Sequence, residues 1–178
     1  MQITTKKGTI DSDLMNGDII LTSCDNPIMR PLKWVLGKLV PEYASLPEKW
    51  WHMAFVSDAR KEIICEGWFP RVRLTRLLLN KHCKVYRWFD EPPAKVDIDR
   101  FVGRYVGKHY DISCYVWTIL YYLTGKRLPR IYNRRFTCWE IVADLCLYFG
   151  EPWHDMYGYP LISDFIKAVG YDKEGTRD

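Results

Sequence analysis

The chain has 178 residues, 48% hydrophobic and 27% charged, which supplies enough apolar material for one compact domain and too much for an intrinsically disordered chain. Twenty-six Lys and Arg against 22 Asp and Glu give a formal charge of +4, short of the basic excess that by itself marks a nucleic-acid binder, so any positive patch must be local. Collagen-like, coiled-coil and low-complexity patterns are absent, and the eight Trp and twelve Tyr require either a core with polar partners or a recognition groove.

In chain order, residues 1–13 carry two lysines with no apolar run behind them, so no secretory signal is read. That predicts a cytoplasmic protein, or one delivered by a route that needs no signal peptide. Gly17 to Thr22 reads as a short strand after a turn, and Trp51 to Val56 as a second. Between them, Pro27 to Val40 has helical spacing through Ile28, Leu32, Val35, Leu36 and Leu39, and Pro41 stops it. A polar turn, Ser57 to Lys61, leads into Glu62 to Trp68 and then Lys84 to Phe89, both suited to an antiparallel sheet. Asp90-Glu91-Pro92-Pro93 closes that block. Helices are expected over Val96 to Val106, Ser113 to Leu123, Trp139 to Phe149 and Leu161 to Val169. A sheet followed by helices predicts an α+β fold in a single domain over 1–178, with a core of about 14–170 and a disordered tail at 171–178.

The most apolar stretch, Ile112 to Leu123, is twelve residues long against the ~20 needed to cross a bilayer, so no transmembrane segment is expected. Its favoured reading is a core helix with one aromatic face; the alternative puts it, with the Trp-rich face, at a lipid interface, as an acyltransferase or lipase would need. Six cysteines stand at 24, 65, 83, 114, 138 and 146 without a C-x-x-C pair, which favours free thiols over a disulfide framework or a zinc site.

Thr137-Cys138-Trp139-Glu140 is a Thr-x-x-Glu capping box that opens an amphipathic helix, and Gly150 can end it. Cys138 then lies in the first turn, where free backbone N–H groups and the positive helix end stabilise a thiolate. Lys126, Arg127, Arg130, Arg134 and Arg135 precede it. Positions 138, 142, 145 and 149 share one stripe, so the sulfur faces the protein interior. The alternative is an inert buried cysteine. His52 sits in an apolar strand, where a buried imidazole needs a group to fix its tautomer. Strand alternation puts it on one face with Ala54 and Val56. If the turn at 57–61 makes a hairpin, Val56 faces Glu62, Ala54 faces Ile64 and His52 faces Glu66; a two-residue slip leaves the last pair diagonal at roughly 7 Å. A core histidine and a rim glutamate that never meet is the competing reading. Cys138, His52 and Glu66 together would be a nucleophile, a proton shuttle and an orienting carboxylate for acyl transfer, with the Cys138 N–H as oxyanion donor.

Gly17-Asp18-Ile19-Ile20, His52-Met-Ala-Phe-Val, Ile64-Cys-Glu66, Gly107-Lys-His-Tyr110-Asp111 and Thr137-Cys138-Trp-Glu140-Ile-Val resemble, in this order and over roughly residues 14–150, the circularly permuted YiiX-like branch of the NlpC-type papain-like superfamily. In that group the histidine strand precedes the cysteine helix. The resemblance implies a papain-like core with the nucleophile helix on an antiparallel sheet, and it assigns catalytic roles to Cys138, His52 and Glu66. It also suggests a place near the site for Tyr110, which could equally be a packing residue at a helix entry. The family's segment commonly reads Cys-Ser-Glu-Leu-Val; here Trp139 replaces the serine, and with Trp50, Trp51 and Trp68 it could line or narrow a substrate groove.

The resulting expectation is a thiol hydrolase that cleaves an amide bond in a peptide or peptidoglycan stem, with no metal or organic cofactor implied. The alternatives are a lipid acyltransferase or lipase of the same superfamily acting on an acylated lipid, and a non-catalytic binding or structural protein using the basic run with Tyr132 and Phe136. The modest charge argues against a nucleic-acid partner. Cys24 is a weaker nucleophile because Asp25 disfavours its thiolate. His109 and His154 read as surface or loop histidines, and His82-Cys83 as a turn entering a strand. Oligomeric state is not legible in the sequence.

Overall fold

The computed structural model describes residues 1–5, 8–22, 52–77, 83–126, 134–153 and 162–169, with positions 34, 38 and 160. Among the described residues nine strands form one sheet: β1 (Gln2–Thr5), β2 (Gly8–Asp11), β3 (Ile19–Thr22), β4 (His52–Asp58), β5 (Ile63–Trp68), β6 (Arg71–Arg76), β7 (Cys83–Arg87), β8 (His109–Tyr110) and β9 (Arg135–Phe136). Their spatial order is β2-β1-β7-β3-β4-β5-β6-β8-β9; β1–β7 and β8–β9 are parallel and the other pairs antiparallel. Four helices are described: α1 (Lys95–Tyr105), α2 (Cys114–Thr124), α3 (Cys138–Tyr148) and α4 (Ile162–Ala168). The protein is therefore mixed α+β with a large, mostly antiparallel sheet.

The central strands are apolar on both faces, which is why they sit in the middle. Ile19 and Leu21 of β3, Met53 and Phe55 of β4, and Cys65 of β5 join Ile98 and Phe101 of α1, Ile141, Val142 and Leu145 of α3, and Phe165 of α4 in one core. The alternate residues Ile20, Ala54, Val56 and Ile64 pack with Ile3, Leu77 and Val85 in a second cluster on the other face. Two polar rings are tied into this frame: Trp88 Nε1 donates to the Glu151 carbonyl at 2.7 Å, and the Tyr105 hydroxyl to Asp144 at 2.9 Å.

Gly17-Asp18 has a structural task. Gly17 adopts φ +84°, and its N–H bonds the Val56 carbonyl at 2.8 Å. Buried Asp18 receives Arg87 in a two-point pair, Nε to Oδ1 at 3.0 Å and NH2 to Oδ2 at 2.9 Å, which ties the entry of β3 to the end of β7.

Several expectations are corrected. Gln2–Thr5 and Gly8–Asp11 pair antiparallel as β1 and β2, and Arg71–Arg76 forms β6; none of these strands is expected from the sequence patterns above. Helices do not simply follow the sheet, because β8 and β9 are interleaved with α1, α2 and α3. The anticipated Pro27–Val40 helix lies outside the described residues, apart from Trp34 and Lys38, which are helical. Also outside them are Cys24, Trp50, Trp51, His82, Arg127, Arg130, Tyr132, His154 and the 171–178 tail. The five described cysteines, 65, 83, 114, 138 and 146, form no disulfide with one another. No helix among the described residues is long and apolar enough to cross a membrane.

Candidate active site

The nucleophile candidate is held by its cap. Thr137 takes an extended conformation (φ −89°, ψ 170°), its Oγ1 accepts from the Glu140 N–H at 3.1 Å, and its own N–H donates to Glu140 Oε2 at 2.8 Å. Both residues are buried, so the reciprocal box fixes the start of α3 without competition from water. Cys138 follows at the first helical position, buried against β4 and β5. Beneath it lies Gly67 of β5. A Cβ on Gly67 would stand 2.8 Å from the Cys138 nitrogen and 2.9 Å from the Thr137 carbonyl carbon, so the helix start rests directly on the bare glycine backbone.

His52 opens β4 and Glu66 lies on β5. The register differs from the hairpin expectation by two residues: Ala54 faces Glu66 and Val56 faces Ile64, because the strands are joined by a four-residue turn and the pairing shifts between Val56 and Asp58. His52 and Glu66 are therefore diagonal rather than opposed. Their side chains still meet, with Nε2 and Oε2 2.6 Å apart and both residues buried. The slip left parity intact, and a diagonal on one face remains within reach of two long side chains.

Glu66 has a second partner that the sequence patterns above do not single out. Arg73 of β6 places Nε 2.9 Å and NH2 2.8 Å from Glu66 Oε1, leaving Oε2 to His52. The two-residue turn at 69–70 pairs Trp68 with Arg71 and so sets Arg73 opposite Glu66. Alternating charge in Arg71-Val-Arg73 was the available signal. Trp68 completes the surround: its ring meets His52 edge-on at 5.1 Å and 86°, and the Arg73 guanidinium lies over it at 4.9 Å.

The electrostatics couple the group. Burial disfavours a charged His52, yet its charge interaction and hydrogen bond with Cys138, then those with Glu66, outweigh the burial and push the imidazole up to about 10. Burial likewise opposes an ionised Glu66, but the hydrogen bonds and charges of His52 and then Arg73 hold its carboxyl below the usual range. Cys65, beside Glu66 in sequence, is pushed up to about 12 by burial and then by the carboxylate, and burial pushes Cys83 up to about 11.

Of the other expected site residues, Tyr110 lies half-buried in β8 and pairs with Phe136, two residues before Cys138, which puts its backbone in the neighbouring strand. Trp139 is a correction to the groove-lining expectation: at 4% exposure it packs in the main core. Trp51 lies outside the described residues. A separate cavity of about 600 Å³, lined by Met15, Asn16, Asp58, Arg60 and Lys95 among others, opens at the far end of β4, about 20 Å of strand away from His52.

Comparison with protein-family models, with curated proteins and with solved structures finds no match to this chain.

Proposed function

We propose that the protein is a thiol hydrolase with the circularly permuted papain-like arrangement of the NlpC-type superfamily, cleaving an amide bond in a peptide or peptidoglycan stem. The observation that carries this reading is one imidazole shared between a helix-start cysteine and a buried carboxylate. In the reaction the Cys138 thiolate attacks the amide carbonyl carbon while the Cys138 backbone N–H receives the developing oxyanion. The tetrahedral adduct collapses, the C–N bond breaks, and protonated His52 gives its proton to the departing amine, leaving a thioester and a neutral imidazole. Water then gives a proton to His52 as its oxygen attacks the thioester; the C–S bond breaks, the carboxylic acid leaves, and the thiolate and imidazolium are restored. Glu66 keeps the imidazole oriented, and Arg73 keeps Glu66 ionised.

The test is incubation of wild type, Cys138→Ala and His52→Ala with peptidoglycan fragments, scoring new amino groups, and trapping of the acyl-enzyme by mass spectrometry. Wild type alone should release amine and carry the acyl adduct on the Cys138 peptide. Equal turnover by Cys138→Ala would overturn the proposal. A second reading, acyl transfer from a lipid, is favoured by the exposed apolar side chains of α2, and the same variants assayed with acylated lipids separate the two substrates. Turnover of neither would favour the non-catalytic binding role.

A further inference from the structure

Helix α2 does not behave as the core helix that its composition suggests. It docks through buried Cys114 and Thr118, with Ile119 and Tyr121 packed partly against the core, and turns Val116, Leu120 and Leu123 outward, while exposed Ile112 lies two residues before its start. These three helical residues, spaced 4 and 3 apart, form one stripe with exposures between 37% and 59%. A continuous exposed apolar row of this kind on a folded domain marks an interaction surface.

The charge around it identifies the partner. From residue 112 to residue 139 the sequence holds five Lys and Arg and no Asp or Glu, so this segment alone exceeds the net charge of the whole chain. Lys126, just past the helix C-cap, is exposed, as are Arg134 and Arg135. At the other end, β8 leads into α2 through buried Asp111, whose carboxylate accepts from the Ser113 N–H at 2.9 Å. Arg71, His109 and Arg135 stand in register across β6, β8 and β9, all exposed and on one face.

We infer that α2 is a membrane-docking surface that lies on anionic lipid, with its apolar stripe among the acyl chains and the flanking cations against the headgroups. Eleven residues span about 16 Å, which suits a helix lying along the interface and is too short for one crossing it. A second copy of the chain is disfavoured, because a two-fold contact would set the cations of one protomer against those of its partner. Nucleic acid would answer the cations but leave Val116, Leu120 and Leu123 in water. This surface is independent of the catalytic proposal, since Cys138 takes no part in it.

The experiment is vesicle co-sedimentation of the full chain with phosphatidylcholine alone and with phosphatidylcholine mixed with phosphatidylserine, at low and high salt. Binding should require phosphatidylserine and weaken with salt. Each cation near the surface contributes about fivefold, so Lys126→Gln with Arg134→Gln should lower the partition constant about 25-fold. Val116→Glu with Leu123→Glu, both at exposed positions, should abolish binding while thermal unfolding stays cooperative. Cys138→Ala should bind as wild type does, so loss of the catalytic reading would leave this one standing. Equal binding to both vesicles, no binding to either, a dimer that the double Glu variant dissociates, or tight binding of a single-stranded oligonucleotide that the double Glu variant leaves unchanged would each overturn it.

Discussion

Replacing Gly67 with alanine tests how the start of α3 is seated on β5 while leaving the side chains of Cys138, His52 and Glu66 unchanged. The new methyl would meet the Cys138 nitrogen at 2.8 Å, the Thr137 carbonyl carbon at 2.9 Å and Cys138 Cα at 3.0 Å, where ordinary contact begins at 3.4 Å. All three are backbone atoms, so no side chain can rotate away, and the start of α3 must rise from β5 by about 0.6 Å. Overpacking of this kind typically costs about 1–3 kcal/mol, and in a chain of this length about 2 kcal/mol lowers Tm by roughly 4–8 °C. A displacement of ~1 Å at a reacting atom costs on the order of 100-fold in rate, so about tenfold is expected for this smaller shift. The assay is turnover together with the rate of iodoacetamide labelling of the Cys138 peptide, measured beside thermal unfolding. Gly103→Ala is the control: it lies in α1 with nothing within 4 Å of the added methyl, and it should gain about 1 kcal/mol with unchanged turnover. Wild-type melting and wild-type labelling in Gly67→Ala would refute the claimed seating of the helix on the strand.

Two further outcomes follow from the charge pairing. Arg73→Gln should raise the Glu66 carboxyl, because one of the partners holding it down is gone, and the acid limb of the pH–rate profile should move to higher pH; an unmoved limb would separate Arg73 from the relay. His52 is raised above its ordinary 6.5, so its contribution to stability is complete below pH 6.5 and is lost as pH rises toward about 10. In Cys138→Ala the larger of its upward influences is absent, and NMR titration of the imidazole should find a lower value than in wild type; an identical titration would place the sulfur out of contact.

Much of the site was legible because it rests on local rules. A Thr-x-x-Glu box specifies the helix start within four residues, and Thr137 and Glu140 form it as expected. Strand parity put His52 and Glu66 on one face, and they meet. The register itself was not legible, since the irregularity between Val56 and Asp58 depends on how the 59–62 turn settles against Asn16, whose Oδ1 accepts the Ala59 N–H at 2.9 Å. Arg73 escaped notice because a strand of alternating arginines looks like a solvated loop until its partner strand is in place. The face of α2 was misread for a related reason: apolar composition says that a helix can be buried, and only the packing of Cys114 and Thr118 decides which side is.

The site is put together from chain segments of very unequal separation. His52 and Glu66 are 14 residues apart across one hairpin, whereas Cys138 arrives 72 residues after Glu66, beyond β6, β7, α1, β8, α2 and β9. Short loops close quickly and distant ones late, and a nascent chain emerges from its N-terminus. During synthesis the His52–Glu66 pair can therefore form first, and Cys138 joins it only after the strands and helices between them have been made; on the proposed reading, a chain still lacking α3 holds the imidazole and carboxylate without their nucleophile.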